Sequence, residues 1–187
     1  MDLLKKTKSK KAPGIDGLSG RFYKDGATVL AKPITQLINL SILLSIVPDK
    51  TKIAKLKPLF KKGSNLETKN YRPVSLLPLF SKIYEKAIND QTHQFLKERN
   101  ILYCHQSGFR KCHSTDTCLS YLNDLILTGT ENGLLTGMIL IDLQKAFDTI
   151  DHKILLEKMT FFGFSDSVIA WFKSYLVGRT FFVNIEK

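Results

Sequence analysis

The chain has 187 residues, 43% of them hydrophobic, enough to fill one core or a compact domain with a lobe. Its three cysteines, Cys104, Cys112 and Cys118, exclude the paired framework of a small secreted protein, and the polar N-terminus has no secretory leader; nucleus or cytoplasm is the expected location. The net charge of +11 is concentrated at one end: residues 1–62 carry 14 basic and 4 acidic side chains, and the remainder is nearly balanced. Clustered lysines release counterions from a phosphate backbone, so this end suits a polyanion partner; a solvated basic tail is the plainer alternative.

Taken in order, residues 1–26 are basic and rich in turns, with Pro13-Gly14 and Asp16-Gly17 as the tightest. Pro33 suits the first turn of a helix running to about Ile46, with Leu37, Ile38 and Leu44 buried and Pro48 as its stop. The stretch Pro33 to Pro48 falls short of a spanning segment, so no membrane is expected. Residues 51–62 read as a strand, with Ala54, Leu56, Pro58 and Phe60 on one face and Lys55, Lys57 and Lys61 on the other. That lysine face fits a nucleic-acid or triphosphate cradle, or an edge strand guarded against aggregation. Arg72, biased to extended backbone by Pro73, presents a fork suited to phosphate oxygens or to a nearby acid.

A long amphipathic helix follows, marked by Leu79, Phe80, Ile83, Tyr84, Ala87, Ile88, Phe95 and Leu96. After the Gln106–Arg110 loop, a helix capped near Ser114 buries Cys118, Leu122 and Leu125, and Asn132-Gly133 turns the chain into a strand. Cys104-His105 and Cys112-His113 lack the spacing of a zinc site. The apolar run Met138-Ile139-Leu140-Ile141 then ends on Asp142, placing a carboxylate where a buried strand surfaces. Binding a cation there relieves the desolvation cost of the charge; capping a turn is the bland alternative. Helical spacing resumes at Phe147 and runs through Ile150, Ile154, Leu155 and Met159 to Phe162, with Asp148 and Asp151 as capping or structural acids. Ser165 opens another helix, Gly178 closes it, and Arg179 to Ile185 reads as a strand.

Several of these segments match a family in order. Lys11-Ala12-Pro13-Gly14-Ile15-Asp16-Gly17, Leu59-Phe60-Lys61-Lys62-Gly63, Asn70-Tyr71-Arg72-Pro73-Val74-Ser75-Leu76-Leu77, Gln106-Ser107-Gly108-Phe109-Arg110 and Ile141-Asp142-Leu143-Gln144-Lys145-Ala146-Phe147-Asp148-Thr149-Ile150-Asp151-His152 resemble successive motifs of reverse transcriptases from non-LTR (LINE-type, jockey/CR1-like) retrotransposons. The resemblance implies an α+β fold, mostly helical with a few strands: a basic segment over 1–26, a fingers-like region over 27–133 and part of a palm over 134–187. It implies RNA-directed DNA polymerase chemistry, with Asp142 and the Leu143 carbonyl as ligands of Mg²⁺ (Mn²⁺ being possible). Lys61 or Lys62 and Arg72 would grip the incoming deoxynucleoside triphosphate, and Phe147 would pack under its sugar. Lys55, Lys57, Gln106, Gly108, Phe109 and Arg110 would lie along the RNA template and DNA primer. The family's Pro-Gln-Gly turn and paired aspartates are not in this sequence, which has no two adjacent acids. A truncated polymerase, inactive alone without the rest of the palm and the thumb, is therefore expected. A non-enzymatic nucleic-acid-binding remnant or degenerate product is the competing expectation.

Overall fold

A computed structural model describes residues 1–10 and 12–183. Lys11, the first residue of the N-terminal motif, lies outside them, as do the last two residues of the expected final strand. The architecture is α+β, with seven helices and a three-stranded sheet among the described residues. The chain divides into two units, residues 1–91 with 151–187, and residues 92–150.

The first unit holds the core. Short helices α1 (Asp2–Lys5) and α2 (Gly20–Asp25) precede α3 (Ala27–Leu44), and α4 (Leu79–Glu98) begins in this unit. The last helices, α6 (His152–Phe161) and α7 (Asp166–Leu176), complete it. Leu4, Tyr23, Ala27, Ile34, Ile38, Val47, Leu79, Ile83, Tyr84 and Trp171 form one buried cluster. Inside it the Trp171 indole N–H donates to Ser41 Oγ (3.1 Å) and Tyr84 Oη (2.8 Å), and Ser41 and Tyr84 also bond to each other. These bonds satisfy the polar atoms that α3, α4 and α7 bring inside, which an apolar core would otherwise leave at a cost.

Helix α3 departs from its expected form. It begins six residues before Pro33, because Ala27 is buried and Leu30 and Ala31 pack on the core; this burial offsets the backbone bond that an interior proline removes. It stops at Leu44, where Ser45 turns left-handed (φ 54°), and Leu37 and Leu44 are exposed rather than buried. The longer span has a mean hydropathy of 1.4 and is, by length and composition, long and apolar enough to cross a membrane, contrary to the expectation from Pro33 to Pro48. Its Ile34, Ile38 and Ser41 face nevertheless packs in the core.

The sheet has the order β2-β1-β3, built from β1 (Ile53–Phe60), β2 (Tyr71–Leu76) and β3 (Thr180–Val183). Strands β1 and β2 are antiparallel, with Pro58 opposite Pro73. Neither proline has an N–H, so this pair has to occupy a non-hydrogen-bonded site of the ladder. Strand β3 runs parallel to β1 from Ile53↔Thr180 to Leu56↔Val183, making the first half of β1 a central strand rather than a guarded edge. The chain meets the end of β2 closely at one point: a Cβ on Gly14 would lie 2.5 Å from Pro78 Cα.

The second unit contains the rest of α4 and all of α5 (Thr115–Glu131). Ser114 caps α5 as expected, in a reciprocal box with Thr117. Cys118 and Leu122 are half-buried, but Leu125 is exposed. The expected strand ending on Asp142 does not form. Residues 134–143 are without regular structure, and Ile139, Leu140 and Ile141 are 88%, 84% and 82% exposed. A strand exists only through a neighbour's hydrogen bonds, and no described strand pairs with this run.

Candidate nucleotide and template site

In the first unit the hairpin register sorts side chains between its two faces. Lys55 faces Leu76, Lys57 faces Val74, and Leu59 faces Arg72 across β1 and β2. Opposed residues share a face, so Lys55, Lys57 and Arg72 stand on the same side of the sheet. The ladder runs one bond further, with the Lys61 N–H donating to the Asn70 carbonyl at 2.8 Å, and this extends the alternation to Lys61. Lys62 falls on the bend beyond it. The opposite face carries Phe60 and Tyr71, whose rings meet at 5.5 Å. The connecting loop is braced by the Asn70 amide on the Ser64 carbonyl (2.8 Å) and the Tyr71 hydroxyl on the Asn65 carbonyl (2.8 Å).

In the second unit Asp142 and Leu143 are exposed in the irregular segment. The chain beyond them makes turns instead of the expected helix. Lys145 is left-handed (φ 51°), and its carbonyl accepts from the N–H groups of Asp148 (2.8 Å) and Thr149 (3.2 Å). Phe147 is consequently 76% exposed and not on a buried helical face. Ile150 is exposed too, and helix starts only at His152, where the Asp151 carboxylate caps the N–H groups of Lys153 (2.7 Å) and Ile154 (3.2 Å).

The Gln106–Arg110 loop is tightly tied. Arg110 Nη1 donates to the carbonyls of Tyr103 (3.0 Å), Cys104 (3.2 Å) and Gln106 (3.2 Å), and Gln106 Nε2 donates to the Gly108 carbonyl (3.1 Å). The sequence reading had Arg110 only as a nucleic-acid contact and missed this brace, because three carbonyls converging on one guanidinium leave no mark in residue spacing. His105 stacks on Tyr121 at 4.6 Å. A cavity of about 360 Å³ opens beside the loop, lined by Ser107, Gly108, Ser114, Thr115 and Cys118.

The donor set around Asp142 does not complete a divalent-ion site. Among the described residues no group of three or more His, Cys, Asp or Glu side chains could hold a metal, and Asp142 makes no side-chain hydrogen bond. Of the sequence-predicted residues, then, the structure brings together Lys55, Lys57, Lys61 and Arg72 in one unit, and Gln106, Gly108, Phe109, Arg110 and Phe147 in the other.

Residues 59–187 match the family model described as "Reverse transcriptase (RNA-dependent DNA polymerase)", and the chain belongs to that family. Several proteins similar to it are named as RNA-directed DNA polymerases of mobile elements. It is 31% identical, over its whole length, to the "Probable RNA-directed DNA polymerase from transposon BS" of Drosophila melanogaster. Identity is 29% over 99% of the chain both to the corresponding protein of the X-element in Drosophila melanogaster and to the "RNA-directed DNA polymerase from mobile element jockey" of Drosophila funebris. The chain spans about a fifth of the length of these curated relatives.

Proposed function

We propose that this chain is the nucleotide-gripping and first catalytic portion of an RNA-directed DNA polymerase, with residues 27–133 as fingers and 134–187 as part of the palm. The observation that carries the reading is the hairpin register, which sets Lys55, Lys57, Lys61 and Arg72 along one face. A row of cations beside a planar guanidinium suits the triphosphate of an incoming deoxynucleotide and the backbone of an RNA template paired with a DNA primer. Between the two adjacent lysines the register favours Lys61 as the triphosphate contact, since it continues the alternation that Arg72 shares.

Reverse transcriptases generally use divalent metal ions, which when bound stabilise the attacking and leaving oxygens of nucleotidyl transfer. Among the described residues, Asp142 is the carboxylate proposed for Mg²⁺ or Mn²⁺, with the Leu143 carbonyl as a second ligand. One carboxylate is too few for the pair of ions such transfer employs, so nucleotidyl transfer would depend on acids besides Asp142. Within the first unit Lys61 and Arg72 are proposed as triphosphate contacts; within the second, Phe147 is proposed to bear on a nucleotide sugar and the Gln106–Arg110 loop to lie along the template strand.

The expected outcome of a primer-extension assay on the purified chain is no template-directed product. Extension that disappears in Asp142→Ala would overturn the proposed dependence on further acids. A second reading, a nucleic-acid-binding remnant, is favoured by the exposed and unpaired run before Asp142. Both readings require RNA binding that weakens steeply with salt, and a flat salt dependence would count against phosphate contacts on the lysine face.

A further inference from the structure

The loop at 103–110 is tied to its own backbone by side-chain hydrogen bonds. Phe109 sits in the left-handed region (φ 59°), which bulky side chains seldom adopt. The conformation is held from its C-terminal side, where Arg110 Nη1 gathers three loop carbonyls, and from its N-terminal side by the Gln106 amide on the Gly108 carbonyl. The ring presented in this way is 83% exposed to solvent, yet it meets the Phe147 ring, with centroids 5.9 Å apart and planes at 88°. That is the edge-to-face arrangement aromatic quadrupoles favour.

We propose that Phe109, held out by the Arg110 brace, is a positioning residue for sugar selection that acts through Phe147. The inference rests on the reading above, in which Phe147 lies beneath the nucleotide sugar. Because Phe147 stands in a turn and is itself 76% exposed, helical packing does not set its ring plane. The Phe109 ring does. A ring that screens out a 2′-hydroxyl discriminates only as well as it is prevented from swinging away, so the selectivity of Phe147 is set by its support. Arg110 thus shapes nucleotide choice from within the loop, without touching the nucleotide.

Equilibrium dialysis of the 187-residue chain with labelled dGTP and GTP in Mg²⁺ gives the ratio of the two dissociation constants. Wild type is expected to favour dGTP. Phe109→Ala and Arg110→Gln are each expected to shrink the preference by roughly tenfold, the scale on which small steric differences are discriminated. Phe109→Tyr, which keeps the ring, should restore it. Loss of the Phe109–Phe147 ring cross-peak in the NMR spectrum of Arg110→Gln would accompany the effect. A merely structural role would weaken both nucleotides together and leave the ratio intact. An unchanged ratio in Phe109→Ala, in a chain where Phe147→Ala abolishes the preference, overturns this inference and leaves the reading of Phe147 standing. A wild-type chain without preference, or binding neither nucleotide, overturns that reading and the inference with it.

Discussion

Tyr175 donates its hydroxyl hydrogen to Glu85 Oε1 at 2.9 Å, while the Arg179 guanidinium lies 4.0 Å from its ring centre and 3.7 Å from the same carboxylate. Burial, and next the Glu85 charge, push the phenol up to about 12 from its usual 10.0. Below pH 10 the phenol is neutral folded or unfolded, and its contribution to stability is complete. Between 10 and 12 the unfolded chain gives up the proton that the folded chain retains, so stability falls as pH rises through this window. Thermal melts from pH 9 to 12 should show a steeper decline for wild type than for Tyr175→Phe, and parallel declines would refute the assignment. Gly14 makes a sharper demand, since its missing side chain lets two backbones touch at Pro78. Gly14→Ala should cost about 1–3 kcal/mol in a denaturant melt, the usual penalty for overpacking.

Helix α6 illustrates what an element needs beyond periodicity. Apolar spacing runs from Phe147 without a break, yet the helix waits for Asp151, whose carboxylate satisfies two N–H groups of the first turn. Asp151→Ala should lower stability by about 1 kcal/mol and Asp151→Asn by less; equal losses would mean that charge, not capping, governs the start. The same contrast explains which elements were readable. The helices α4, α5 and α7 announce themselves through local amphipathic spacing and through Ser114 and Ser165 at their starts, and strand β1 was readable from its alternating lysines, though its pairing with β2 was not. The run 138–141 was misread because its strand-forming residues specify only a willingness to pair, while the partner is a long-range matter. Pro33 misled for a related reason: packing of Ala27 and Leu30 outweighs a local breaker. For the site, residue types were legible and their support was not, as Arg110 shows.

Across the whole molecule, burial is divided unequally between the two units. Every buried residue described lies in 1–91 or 151–183, and none lies in 92–150. Regions with few buried contacts open at little free-energy cost, whereas those tied to the core exchange only when the core yields. The hairpin cations therefore stand in the unit that contains the core, and Asp142 stands in the unit without one. Hydrogen exchange read by mass spectrometry should find the amides of 135–143 fully exchanged at the earliest times, since they belong to no ladder, with α5 next and α3 and α7 slowest. The order follows from hydrogen bonding and burial together: α5 has its helical bonds and its Ser114 box but no buried face, while α3 and α7 have the Ser41–Tyr84–Trp171 lock as well. Protection in 135–143 equal to that of α7 would mean that the run before Asp142 has found a strand partner, and the carboxylate would then stand on a rigid tip after all.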